Sequence, residues 1–351
     1  MFAWLRRFAG KRPPAPDPEP QTTAPPFAAL RRRRPGHPSR ALTPERLAAL
    51  LDGAEAGRLT DQAELAEDME EKDAHLHAEL SKRQRALLTL DWDVAPPRAG
   101  GARARKQAAE ARDWLASLPD FEGLILDLAD ALLYGYSAVE LEWRRDGALW
   151  WPTPHHRPPA WFGVAPETPN VLQLRAAHGL EPLRPWGWIV HNHRAKSGVL
   201  ARSGLLRVLA WPYLFKNYAT RDLLALLELH GLPLRVGTFP PGTLKEDQET
   251  LWDLVRNLGA DACAVLPEGM KIEFQGSVLA GASHQALIDW CERAMSKAIL
   301  GQTLSAESSA TGLGSGVANL HDQVRWDLIG SDARQIAATI TQQLLTPLLA
   351  L

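Results

Sequence analysis

Gly312, Gly314 and Gly316, in the stretch SSATGLGSGVANLHDQV, are the residues whose spacing first suggests chemistry. A glycine-rich turn lets the backbone approach a phosphate closely, provided a helix N-terminus completes the cradle. A dinucleotide fingerprint also needs a strand before the glycines and a carboxylate about 20 residues on. Here the preceding residues, HQALIDWCERAMSKAILGQTL, carry a helical pattern, the spacing is G-x-G-x-G, and no GK[ST] follows. The run reads better as a pliable connection between two helices. His191 and His193, in VHNHR, alternate on a predicted strand, and two imidazoles on one face are a possible metal pair. They lack an obvious third ligand and read as partly exposed residues at a strand end. Glu140 and Glu142 alternate on another predicted strand, where the simpler reading is a solvated polar face. The two cysteines, Cys263 and Cys291, form neither a CxxC pair nor a disulfide framework.

Composition narrows the classes further. Hydrophobic residues make up 45% of the 351 and charged residues 23%, at a net charge of -2, so no global basic excess announces nucleic acid. No apolar run reaches the roughly 18–20 residues of a membrane span, so no membrane partner is expected.

The elements that must position these residues follow from periodicity. Residues 1–40 carry nine Arg and Lys against two acidic residues and many prolines, and read as a disordered basic arm. Thr43-Pro44 caps a helix over LTPERLAALLDGAEAG. A second, charged helix is expected over Asp61–Thr89, then a short strand at DWDVAPP. Helices at about 103–117 and 120–133 precede the strand SAVELEWRR, a hairpin turn at Asp146-Gly147, and the strands ALWWP, AWFGVAP, NVLQLRA and GWIVHNHRA. From Leu205 a long helix is expected, bent or broken at Pro212. A strand, a helix capped by Thr243 and ended by Gly259, two strands around Pro-Glu-Gly, and two helices flanking the glycine run complete the chain. This is an α+β protein.

Several strings resemble the phage Mu-type portal proteins of tailed bacteriophages and prophages: LLYGYSAVELEW (132–143), GLLRVLAWPYLFKNYATRDLLALLELHGLPLRVGTFPPG (204–242), AVLPEGMKIEF (264–274) and WCERAMSKAILGQTLSAESSATGLGSGVANLHDQV (290–324). The resemblance covers about 41–351. It implies a portal-type subunit: an α+β wing at 41–242, stem helices at 243–301 flanking a small β clip at 261–276, and a tunnel loop with its following helix at 302–351. Family members continue past residue 351, so the apical region is expected to be truncated. The implied function is a homo-oligomeric ring, usually of twelve subunits, at the capsid vertex of the virion, assembled in the host cytoplasm. Its channel would pass double-stranded DNA during packaging and ejection, without sequence specificity. The implied partners are the terminase large subunit, head–tail connector, capsid and scaffold proteins, with no cofactor and no catalytic residue.

Carried onto this chain, the tunnel loop would include Ser305, Ser308, Ser309, Thr311, Gly312, Gly314, Ser315 and Gly316. Lys271, Arg293, Lys297 and Arg325 would be basic channel residues, and Pro267, Glu268, Gly269 and Met270 the docking tip of the clip. Between Ser305 and Gly316 the only charge is Glu307, which suits sliding past phosphates better than gripping them. The competing reading is a nucleotide- or metal-dependent enzyme built on Gly312–Gly316 or on His191 and His193.

Overall fold

The computed structural model describes residues 16–24, 27, 30, 41–147, 149–230, 234–257, 271–275, 280–303 and 314–351. They fall into two compact units, one of residues 1–214 and 292–351, the other of residues 215–291. The second unit therefore takes in residues ahead of 242, where the sequence suggested that the wing ends.

The first unit is organised by β1 (Tyr136–Asp146), which pairs antiparallel with β2 (Leu149–Arg157) and β6 (Trp188–Asn192). The Asp146-Gly147 hairpin forms as read: Asp146 pairs with Leu149, and Gly147 takes φ 59°. A second sheet, β3 (Phe162–Ala165), β4 (Thr168–Ala176) and β5 (Gly179–Pro182), is also antiparallel. On one face of β1, Val139, Leu141 and Trp143 pack with Ile189, Leu124 and Leu128 of α5 (Phe121–Ala129), and Ile336 of α10 (Gly314–Ile340). On the other, Tyr136 and Ala138 pack with Phe162, Leu174, Trp188 and Phe27. Much of β1 is thus buried on both sides, which alternation alone did not indicate.

Glu140 is the clearest correction. Read as solvated, it is 1% exposed. It accepts from the Thr22 backbone N–H (2.9 Å), the Thr22 hydroxyl (2.6 Å) and Arg157 Nε (2.8 Å). A buried carboxylate persists only when paired and hydrogen-bonded, and the N-terminal segment supplies two of its donors. Neighbouring Gln21 accepts from Trp188 Nε1 (2.9 Å) and Arg184 N (3.0 Å) and donates to the Pro182 carbonyl (3.1 Å). The expectation of a disordered arm over 1–40 therefore fails for 16–24, 27 and 30; composition described the run as a whole and missed its few anchoring side chains.

The helices are α1 (Pro44–Glu55), α2 (Leu59–Lys72), α3 (Ala74–Ala86), α4 (Ala102–Ala116), α5, α6 (Ala131–Tyr134), α7 (Leu206–His230), α8 (Lys245–Asn257), α9 (Ala280–Leu300), α10, and α11 (Thr346–Ala350) after a π turn at Thr341–Leu345. Thr43 caps α1, accepting from Arg46 N at 3.2 Å. The single helix expected over 61–89 divides at Asp73, whose carboxylate accepts from His75 N and Leu76 N (both 3.0 Å) and starts α3. Residues 91–97 form no strand. Pro212 lies inside an unbroken α7. In the second unit β7 (Leu234–Thr238) pairs with β8 (Lys271–Gln275), and Leu251 and Val255 of α8 close on Gly237. Thr243 does not cap α8; its hydroxyl donates to the Pro240 carbonyl at 2.7 Å.

Candidate functional site

The two helices that border the glycine run are α9 and α10, and their junction is fixed from outside by one side chain. α9 ends at Leu300; Gly301 follows with φ 71°, a left-handed conformation that glycine adopts without strain. A Cβ on Gly301 would lie 2.9 Å from Val324 Cγ1 and 3.3 Å from Leu328 Cδ1, so α10 passes close to this turn. Ser305, Ser308, Ser309, Thr311 and Gly312 lie outside the described residues. Gly314, Ser315 and Gly316, expected in the loop, form the first turn of α10 instead. Only backbone hydrogen bonds are needed to start a helix there, so the glycines permit it although they do not favour it.

Arg83, from α3, is the fixing side chain. Its Nε donates to Asp332 Oδ2 (2.7 Å) and its Nη2 to Asp332 Oδ1 (3.0 Å), a two-pronged pair to the middle of α10. Its Nη1 donates to the Ile299 carbonyl in the last turn of α9 (2.6 Å). One guanidinium thus ties the last turn of α9 to the body of α10, about five turns past its first residue, with the Arg83 and Asp332 side chains 6% and 2% exposed. About two turns back along α3 and one turn back along α9, His75 Nε2 lies 2.8 Å from Ser296 Oγ. Further along α10 and into the π turn, side chains engage β6 and the residues after it: Gln335 accepts from Arg194 N (2.8 Å), while Gln343 accepts from Val190 N (2.7 Å) and donates to its carbonyl (2.8 Å). β6 is an edge strand, and an amide side chain here does the work of a neighbouring strand. The result is a set of side-chain ties that fix α3, the end of α9, α10 and β6 to one another.

The histidine pair belongs to this frame. Read as partly exposed, His191 and His193 are 1% and 2% exposed. Burial pushes both pKa values down to about 4; a second, smaller push comes from His193 on His191 and from Arg83 on His193. Both imidazoles are therefore neutral near pH 7. Thr339 Oγ1 lies 2.8 Å from His191 Nδ1 and 3.2 Å from the Gln335 carbonyl, so the His191 ring is hydrogen-bonded to α10. His193 Nε2 lies 3.8 Å from Asp332 Oδ1, but Arg83 already occupies both oxygens of that carboxylate. Among the described residues no group of three His, Cys, Asp or Glu is arranged to hold a metal.

The expected basic residues separate. Arg293 and Lys297 are exposed, one turn apart on α9. Arg325 is half-buried, its guanidinium 5.7 Å from the centre of the Trp326 ring. Lys271 begins β8. Pro267, Glu268, Gly269 and Met270 lie outside the described residues. Arg83 and Asp332 were not found from sequence: they are 249 positions apart, and each sits in a helix rich in other charges.

A family model described as "Portal protein of Mu bacteriophage" matches residues 63–351. The chain belongs to that family. The portal protein of Escherichia phage Mu is 43% identical over 340 residues, covering 95% of this chain and 66% of that protein. Mu-like prophage FluMu protein gp29 of Haemophilus influenzae is 40% identical over 321 residues, covering 90% of this chain and 62% of its own length. The chain thus spans just under two thirds of these curated relatives. A chain from the neck of a native GTA particle, computed with C12 symmetry, matches with a TM-score of 0.53 at 14% identity, covering 88% of this chain and 82% of that one. At that identity the likeness speaks to the fold, and the α+β architecture described above is the portal fold.

Proposed function

We propose that this chain is the subunit of a portal ring at the capsid vertex of a phage particle, a conduit for double-stranded DNA and not an enzyme. The carrying observation is the family match over 63–351 together with the 43% identity to the Mu portal protein. A ring of twelve is favoured by the C12 symmetry of the neck particle whose chain shares this fold. In this reading the stretch 305–316, whose last three residues start α10, is the tunnel loop facing DNA, and Arg83 ties together the helices on either side of it. Arg293 and Lys297 lend weak positive potential near the channel. The unit of residues 215–291 corresponds to stem and clip, with Pro267–Met270 toward the terminase large subunit during packaging and the connector afterwards. Capsid and scaffold proteins would meet the ring at the vertex, and assembly would take place in the host cytoplasm. A nearly uncharged loop between two helices that Arg83 ties together can follow a moving duplex without many phosphate contacts to break.

Negative-stain microscopy with mass measurement tests this directly. The expected result is a closed ring with a central hole and a mass near twelve subunits. A well-folded protein that stays monomeric at all concentrations would refute it.

A further inference from the structure

A groove of about 610 Å³ opens between the end of α2, the start of α3 and α6. Glu67, Glu70 and Glu71 line one side, and Ala74 and Tyr134 supply apolar wall. Tyr134 is 7% exposed. Its side chain lines the groove, yet among the described residues its hydroxyl has no hydrogen-bond partner. A hydroxyl at the tip of a mostly buried side chain that opens onto a groove is available to a ligand.

The charges around it do not balance. Behind the groove Asp130 is pushed up to about 7 by burial, and further by Glu70 and Asp127. Burial also raises Glu70 and Asp127. The nearest cation candidate on β2 is His156, whose Nε2 is 3.4 Å from Asp130 Oδ2, but burial lowers its own pKa. Lys72, on the rim, pairs with Asp68 at 2.5 Å, and His77 stands opposite on α3. Among the described residues the three glutamates thus outnumber the groove's cations, Lys72, which also serves Asp68, and His77, which partly offsets the rise at Glu70.

A metal ion is the poorer fit, because no three ligating groups converge among the described residues. We propose that the groove binds an aliphatic polyamine. Its ammonium groups pair with Glu67, Glu70 and Glu71, which at i, i+3 and i+4 stand about 5–6 Å apart, close to the span of a three- or four-carbon spacer. The Tyr134 oxygen accepts from one ammonium, and the methylenes lie along Ala74 and the tyrosine ring. This site does not depend on the ring reading, since every residue comes from one subunit.

Calorimetric titration of the full chain with spermidine at low salt tests the proposal. Saturable binding is expected, weakened about tenfold or more in the Glu67→Gln/Glu70→Gln double variant and several-fold in Tyr134→Phe. Repeating the titration in two buffers of different ionisation enthalpy at pH 7 should reveal release of about half a proton, because Asp130 is half-protonated there and binding favours its ionised form. Asp130→Asn should bind without that release. No spermidine binding, unchanged binding in the double variant, or equal displacement by magnesium chloride at matched charge would overturn the proposal. So would a tetra-arginine peptide that binds where spermidine does not. If the double variant does not fold, proton release and magnesium competition in the unaltered protein still decide.

Discussion

Replacing Asp332 by asparagine keeps the side chain's shape and removes its charge. Arg83 would remain charged and 6% exposed, with only the Ile299 carbonyl as a strong acceptor. Breaking a buried pair from one side costs about 3–5 kcal/mol, because the surviving charge is uncompensated. That is a large part of the roughly 5–15 kcal/mol that stabilises a domain. A two-state unfolding midpoint is the wrong measure for a chain of two compact units; native-state hydrogen exchange resolves the affected elements. Protection in 295–303 and 323–340 should fall by about two to four orders of magnitude in Asp332→Asn. α8, in the other unit, should be little changed. The double variant Arg83→Met/Asp332→Leu removes both charges and should recover most of the loss. A loss below about fivefold in Asp332→Asn, or a double variant as damaged as the two single changes combined, would refute the clamp.

The two buried histidines make stability fall with acid. Their folded pKa values, about 4, lie below the ordinary 6.5, so their contribution is present above 6.5 and lost as pH drops toward 4, at about 1.4 kcal/mol per pH unit each. Asp130, raised to about 7, works in the opposite sense over the same range. Asp130→Asn should therefore steepen the acid loss by about 1.4 kcal/mol per unit, read by native-state hydrogen exchange of the β1 and α5 amides at a series of pH values; an unchanged slope would contradict the assignment. Thr22→Val removes a charge-assisted hydrogen bond to buried Glu140. It should destabilise the first unit by about 1.5–3 kcal/mol, measurable by calorimetry; no change would mean the N-terminal segment is dispensable. Gly301→Ala should lose about 1–2 kcal/mol through its left-handed backbone and its contact with Val324. Gly314→Ala/Gly316→Ala should instead gain up to about 1 kcal/mol per site in helix stability while lowering the yield of DNA-filled particles. Normal particle yield would count against a pliable tunnel loop.

The elements written in local pattern were readable from the chain. Thr43-Pro44 marks a helix start, Asp146-Gly147 a hairpin, and the alternation of Val139, Leu141 and Trp143 a strand with one apolar face, because each depends on residues within a few positions of one another. The family strings were also legible, and the match over 63–351 agrees with them. What local pattern could not contain is which polar residues lie inside. Glu140 looks like any strand carboxylate until Thr22 and Arg157 are brought to it from 118 and 17 residues away. His191 and His193 look like a metal pair until Arg83 and Asp332 close around them. Alternation and helical period record only which face a residue takes. Whether that face meets water or a second layer is set by distant segments folding back, and desolvation then decides which charges must be paired. The sequence determined the elements and the kinship; the tertiary structure alone decided that one arginine ties the end of α9 to the body of α10.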